Sequence, residues 1–283
     1  MATDTQRTFG GEITIGGDLT VRRLGFGAMR ITGKGIWGPP PDRAAAVKLV
    51  RHVVESGVNF IDTADSYGPE VSEDIIAEAL SPYPEGVVIA TKAALKRPGP
   101  DRWDVDARPE RLRECVEGSL RRLKLERIDL LQLHRIDPKV PVEESLGALT
   151  DLQREGKIRH IGVSETSVAE YEAAKKSATI VSVQNLYNVD DRSAEDVLAA
   201  CERDGIAFLP WFPLGGKGTP RHDALERIAK AHDATPTQIA LAWLLARSPA
   251  VLPIPGTSSI AHFDENLAAA DLTLTADELA ELT

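Results

Sequence analysis

Residues 128–163 read IDLLQLHRIDPKVPVEESLGALTDLQREGKIRHIGV, and this stretch decides the fold. The apolar run Ile128 to Leu133 is continuous rather than alternating, as a strand buried on both faces of a parallel sheet should be. A helical pattern, Val142 to Glu155, follows and stops at Gly156, where the position after a helix favours glycine. The run His160 to Val163 then completes one strand-helix-strand beat.

Outward from this beat the pattern repeats. Upstream lie the apolar runs Leu24 to Ala28, Val58 to Ile61 and Val87 to Ala90; downstream lie Ile180 to Val183, Ala207 to Leu209 and Val251 to Ile254. Asp42 can cap a helix running to Ser56 before Gly57, and Pro109 suits the first turn of a helix over Arg108 to Leu123. Ser167 to Ser177, Ser193 to Arg203, Arg221 to His232 and Pro236 to Arg247 continue the series, with a last turn after Thr275. Two helical patterns precede the final strand, so an extra helix is expected between strands seven and eight. A hairpin, Glu12 to Ile15 and Leu19 to Arg22 around Gly16-Gly17-Asp18, stands in front. No linker or composition break interrupts the eight beats, which predict one α/β domain over residues 1–283: a (β/α)8 TIM barrel with the hairpin plugging its N-terminal end. A doubly wound sheet is the runner-up. Against it, Gly25-Phe-Gly27-Ala-Met-Arg30 has Arg30 where a dinucleotide-binding turn needs its third glycine.

Composition removes other classes. The 283 residues are 42% hydrophobic by type, and 43 acidic side chains against 33 basic ones give a formal charge of −10. That balance disfavours a nucleic acid partner. Cys115 and Cys201 lie far apart without metal-ligand spacing, so buried free thiols are expected, with no metal site. Met1 to Gly10 has no apolar core, and no stretch approaches the ~20 apolar residues of a membrane span. The expectation is a cytoplasmic protein without membrane partners, the monomer favoured.

Polar or aromatic residues stand at the C-terminal ends of six successive predicted strands: Asp62, Lys92, His134, Ser164, Gln184 and Trp211. Strand ends meet water in any fold, but in a barrel these ends converge on one mouth, and an acid, an ammonium and an imidazole together favour chemistry there. Lys92 and Asp62 would pair, and Tyr67 follows five residues after Asp62. Beside an ammonium a phenol, which normally titrates near ~10, is expected to give up its proton more readily to a developing alkoxide. His134 can hydrogen-bond the same carbonyl oxygen. The set polarises and protonates a C=O and contains no acyl nucleophile motif. None of these side chains supplies a hydride, so a bound donor is required. Phosphate donors are offered by Leu214-Gly215-Gly216-Lys217-Gly218 and by Thr257-Ser258-Ser259 at the opening of a helical stretch.

With these residues in view, the chain resembles the aldo-keto reductase family along nearly its whole length. Phe60-Ile-Asp62-Thr-Ala-Asp-Ser-Tyr67-Gly68, Lys92 in Ala90-Thr-Lys92 and His134 in Asp129-Leu-Leu-Gln-Leu-His134 resemble the family's catalytic tetrad. The resemblance implies Tyr67 as general acid, Lys92 lowering its pKa, Asp62 holding Lys92, and His134 orienting the carbonyl. It implies Ser164 and Gln184 on the nicotinamide carboxamide, Trp211 stacked on the ring, Leu214, Gly215 and Lys217 over the pyrophosphate, and Met29 and Arg30 near ring and phosphates. Gly256, Thr257, Ser258, Ser259 and His262 would surround the adenosine phosphate, with Glu265 and Asn266 at the adenine.

Three positions depart from the family pattern. Glu165 stands where an asparagine is usual, so one contact to the carboxamide would be lost. Gly256 and His262 replace the usual lysine and arginine at the 2′-phosphate, a loss of two permanent cations. NADP(H) is the implied cofactor, with NAD(H) the other candidate. The first loop through Trp37, the run Tyr67-Gly-Pro69 and Leu209-Pro-Trp-Phe-Pro-Leu-Gly-Gly216 look most like the bacterial pyridoxal reductase branch. The expected substrate is a small-molecule aldehyde or ketone, foremost pyridoxal reduced to pyridoxine, in a pocket of Met29, Tyr67, His134 and either a substrate-walling or a merely surface-packed Trp37. Two other functions compete: a cofactor-binding regulatory subunit with little turnover, and a Schiff-base lyase with Lys92 as nucleophile. Replacing Lys92 by Met is expected to leave the fold intact, with Asp62 stranded only at a solvated mouth.

Overall fold

A computed structural model describes residues 9–215 and 221–283. Strands β1 (Glu12–Ile15) and β2 (Leu19–Arg22) form the leading antiparallel hairpin. After β3 (Phe26–Gly27), β4 (Phe60–Asp62) and β5 (Val88–Ala93) comes a second hairpin, β6 (Leu95–Gly99) and β7 (Arg102–Val105); β8 (Ile128–Leu133), β9 (Ile158–Ser164), β10 (Ile180–Leu186) and β11 (Ala207–Trp211) follow. Outside the hairpins the strands form one parallel sheet in the spatial order β11-β10-β9-β8-β5-β4-β3.

Residues 250–255 close this sheet into the barrel. On one side Phe208 N–H donates to Ala250 O at 2.8 Å and Leu252 N–H to Phe208 O at 2.9 Å. On the other, Gly25 N–H donates to Pro253 O at 2.9 Å and Gly27 N–H to Pro255 O at 3.2 Å. The expected strand Val251 to Ile254 survives as a single β-bridge at Val251, because prolines at 253 and 255 have no N–H to extend a ladder. The seam also needs glycine on both sides. A Cβ on Gly27 would lie 2.5 Å from Ile254 O, and one on Gly256 would lie 2.6 Å from Gly27 O.

Around the sheet lie α1 (Arg43–Glu55), α2 (Val71–Leu80), α3 (Pro109–Leu123), α4 (Val142–Arg154), α5 (Val168–Ala174), α6 (Glu195–Asp204), α7 (His222–Ala231), α8 (Pro236–Arg247), α9 (Ile260–Ala268) and α10 (Ala276–Leu282). Asp42 caps α1 as its sequence suggests, accepting from Ala45 N–H at 2.8 Å. Both α7 and α8 precede the closing segment, which is the extra helix expected there. Two elements went unassigned in the sequence. Helix α2 starts from Glu70 at φ 70° with no side-chain cap, so it carries no start signal. The β6–β7 hairpin turns through Pro98-Gly99-Pro100-Asp101, a legible turn whose flanking residues lack alternation.

The leading hairpin plugs the barrel: Ile15, Leu19 and Val21 are buried with Phe60, Val88 and Leu130. Next to it, buried Arg23 holds the closing segment. Its guanidinium donates to Val251 O at 3.2 Å, Gly10 O at 3.0 Å, Leu245 O at 2.8 Å and Ser248 O at 2.5 Å. Burial lowers its pKa, but the carbonyl dipoles solvate the charge. Cys115 and Cys201 are buried free thiols. Among the described residues no helix is long and apolar enough to cross a membrane. Replacing Arg23 by Met leaves buried carbonyls without donors and is expected to cost about 2–4 kcal/mol of stability, read by urea denaturation. A loss within experimental error would show that water replaces the guanidinium.

Candidate active site

Strand register places the polar residues together. Gly27 pairs with Asp62, Asp62 with Ala90, and Lys92 with Gln132, so the ends of β4, β5 and β8 sit level. Farther round, Ser164 pairs with Gln184 and Leu186 with Trp211. At the centre is Lys92, whose side chain is fully buried. Its Nζ donates to Asp62 Oδ2 at 2.6 Å, Thr63 O at 2.8 Å and Tyr67 OH at 3.3 Å, using all of an ammonium's donors. Asp62 Oδ1 accepts from Gln132 Nε2 at 3.1 Å and Gln184 Nε2 at 2.9 Å. The expected ion pair is therefore present, but in the interior rather than at a solvated mouth, since Asp62 is only 2% exposed.

These surroundings set the proton affinities. Burial disfavours the Lys92 ammonium, yet Asp62 and Tyr67 more than compensate and hold its pKa above the ordinary lysine value. Burial pushes the Tyr67 phenol up, and Lys92 only partly offsets this while Asp62 adds to it. The net direction is opposite to the lowering expected from the ammonium alone: the phenol keeps its proton. For His134, burial first and then Lys92 and Arg135 hold the imidazole well below the ordinary histidine value, so it is neutral near pH 7. The His134 ring stands edge-on to Tyr67 with centroids 6.0 Å apart, and its Nδ1 lies 3.5 Å from Ser66 Oγ.

Above this group opens a cleft of about 650 Å³. Met29, Arg30, Asp62, Tyr67, His134, Ser164, Gln184, Trp211, Leu214, Gly215 and Gly256 all line it. Thr257, Ser258, Ser259, His262, Glu265 and Asn266 sit beyond it, at and along the first turns of α9, where Ser259 caps the helix by accepting from His262 N–H. Glu265 is tied to α8, its carboxylate accepting from Thr235 Oγ1 at 2.9 Å and its carbonyl from Gln238 Nε2 at 2.9 Å. Lys217 lies outside the described residues.

Trp37 does not line the cleft. Its backbone bridges to Gly68, and the aromatic wall beside Tyr67 is Trp103 of β7, edge-on with centroids 6.4 Å apart. Arg135 is a further lining residue the sequence reading missed; its Nη1 donates to His134 O at 2.7 Å and Ser164 Oγ at 3.3 Å. Its signal was its place one residue past His134. Glu165 has a definite occupation: its carboxylate accepts from Leu186 N–H at 2.7 Å and from the Trp211 indole N–H.

A parallel barrel with an acid, a lysine, a tyrosine and a histidine gathered at its C-terminal mouth defines a class of carbonyl-reducing enzymes. The chain belongs to the aldo/keto reductase family, whose sequence signature matches residues 23–283. It is 48% identical over 267 residues to an uncharacterized oxidoreductase of Schizosaccharomyces pombe, covering 94% of this chain and 87% of that protein. With pyridoxine 4-dehydrogenase of Escherichia coli it shares 42% identity over 272 residues, 94% of this chain and 95% of the relative. An aldo/keto reductase of Klebsiella pneumoniae, solved in complex with NADP and acetate, superposes with a TM-score of 0.81 at 29% identity, covering 96% of this chain and 93% of that one.

The burial of the ion pair reverses one expectation. In Lys92→Met, Asp62 keeps its two glutamine donors but loses its counter-charge inside the protein, a change that costs about 3–5 kcal/mol. Denaturant titration should register that loss, and adding Asp62→Asn should recover part of it. Equal stability of Lys92→Met and the wild type would contradict the buried pair.

Proposed function

We propose that the chain is an NADPH-dependent reductase of aldehydes and ketones in which Tyr67 donates the proton. The observation that carries this is the chain of contacts Asp62 to Lys92 to Tyr67, with the ammonium fully buried and Tyr67 lining the cleft. The cleft fits a nicotinamide. The Gln184 amide nitrogen is committed to Asp62 and Gln132, which directs Gln184 Oε1 to accept from an amide. Trp211 offers an indole whose N–H is fixed by Glu165. Gly215 turns at φ 62°, a left-handed conformation that favours glycine, and brings the backbone close to the rim. When bound, the nicotinamide would supply the hydride.

The protein's own part is proton management. Burial keeps the Tyr67 phenol neutral, so it enters the reaction as a donor. As negative charge develops on the carbonyl oxygen, the proton passes to it, and the phenolate left behind is stabilised by the ammonium 3.3 Å away. Neutral His134 donates a hydrogen bond to the same oxygen without competing as an acid. Lys92 is poorly suited to the competing Schiff-base role, because a buried ammonium with a raised pKa is a weak nucleophile.

NADPH is favoured over NADH because the N-terminus of α9 with Ser258 and Ser259 offers donors suited to a phosphate, and because the Klebsiella relative was solved with NADP. With pyridoxine 4-dehydrogenase among the relatives, pyridoxal is the leading substrate. Purified protein should oxidise NADPH with pyridoxal. Tyr67→Phe should lower kcat by about 10²–10⁴-fold with NADPH affinity retained. Turnover of other aromatic aldehydes but not pyridoxal would replace that substrate, and tight NADPH binding without turnover of any aldehyde would point to the regulatory role.

The pH profile follows from the two shifts. With His134 depressed below its ordinary value of about 6.5 and Tyr67 raised above its ordinary value of about 10, kcat/KM for reduction should be flat between those limits. It should fall only as pH rises through the phenol's ionisation. An activity loss on acidification near pH 6.5, absent in His134→Asn, would contradict the neutral imidazole.

A further inference from the structure

Arg97, in β6, is half-buried and has an unusual set of partners. Its Nε donates to Arg102 O at 2.9 Å across the β6–β7 hairpin. Its Nη1 donates to Ile36 O at 2.8 Å and Ser66 O at 2.9 Å, and its Nη2 to Gly35 O at 2.9 Å. The guanidinium carbon lies 3.6 Å from the centroid of Trp103, close enough to stack on the indole. One side chain thus fastens three segments: the hairpin, the first loop and the residue preceding Tyr67.

The hairpin needs such a fastening. Of β7, Trp103 is half-buried and Arg102, Asp104 and Val105 are exposed, and an isolated two-stranded hairpin is marginal in water. Yet this hairpin supplies Leu95, Trp103 and Val105 to the lining of the cleft that Trp211 and Phe212 also line. Among the described residues, Val105 and Phe212 are the exposed large hydrophobics, and both line this cleft. Beside the polar residues the cleft thus carries two indoles and two exposed apolar side chains, surfaces that suit an apolar ring better than a short aliphatic chain.

We propose that Arg97 is a positioning residue: by stacking on Trp103 and tying the hairpin to the carbonyls of Gly35, Ile36 and Ser66, it sets the wall that makes the enzyme select aromatic over short aliphatic aldehydes. This rests on the reductase function proposed above. Lysine cannot replace it, because an ammonium offers neither the planar face nor the forked donors. Tyr67 itself is held independently, by Lys92 and by Tyr67 N–H to Ala64 O at 3.2 Å, so the expected defect lies in substrate discrimination.

The test compares kcat/KM for benzaldehyde and for propanal, with saturating NADPH, in the wild type, Arg97→Met, Arg97→Lys, Trp103→Ala and the Arg97→Met/Trp103→Ala double variant. The benzaldehyde-to-propanal ratio should fall about tenfold in each single variant, and the double variant should fall little further, because both changes remove one wall. If Arg97→Met does not fold, Trp103→Ala and Arg97→Lys still read the ratio. Equal loss for both aldehydes, a fully additive double variant, or an unchanged ratio in Arg97→Lys would overturn the proposal. A wild type that reduces both aldehydes equally well overturns it alone, whereas a wild type that reduces no aldehyde, pyridoxal included, overturns the reductase function beneath it.

Discussion

A permanently charged ammonium inside the barrel is the constraint on which the rest of the site depends. Isolated from water, Lys92 would cost several kcal/mol, and only complete satisfaction of its donors makes it tolerable. Asp62, Thr63 and Tyr67 provide that, and Gln132 and Gln184 complete the shell around Asp62. Lys92, Asp62, Gln132 and Gln184 come from strands and Thr63 from the residue beside one, while Tyr67 reaches in from the loop five residues past Asp62. The Lys92 contact holds the Tyr67 hydroxyl, and the same burial that keeps the phenol protonated would make the neighbouring cation effective in the proposed proton transfer. Stability and chemistry draw on the same contacts.

A second constraint comes from closing the barrel. The seam between the first strand and residues 253–256 brings two backbones so near that neither Gly27 nor Gly256 can carry a Cβ. The absence of a lysine at position 256 thus follows from packing. That place is covered instead by the first loop: a Cβ on Gly256 would lie 3.7 Å from Arg30 Cγ. The aliphatic stem of Arg30 thus packs beside the seam from a different segment of the chain.

Much of this was legible in the sequence because it depends on period and spacing. Continuous apolar runs, helix caps and glycine stops mark the beats, and the strand ends mark the mouth, which is why Asp62, Lys92, His134, Ser164, Gln184 and Trp211 all fall where they were expected. What escaped depends on three-dimensional placement. Trp37 is the wall a linear reading offers; in the fold it bridges to Gly68 off the cleft, and Trp103, from a hairpin the sequence did not announce, lines it. Helix α2 lacks a cap to announce it. The direction of the Tyr67 shift could not be read from a neighbouring lysine, because burial outweighs that lysine and burial is a property of the fold.

Glu165 shows how a departure from a family pattern acquires a cause. On sequence alone it reads as a lost contact. In the fold its backbone is left-handed, at φ 54°, and its carboxylate is turned to the Leu186 N–H and the Trp211 indole. It also lies near Arg135, whose guanidinium burial disfavours and Glu165 only partly supports electrostatically, so its pKa stays below the ordinary arginine value. Removing Glu165 would therefore free an indole and leave a half-buried guanidinium less compensated beside Ser164. The residue that looks like a defect in cofactor binding is the one that holds the aromatic and cationic lining of that wall in register with β10.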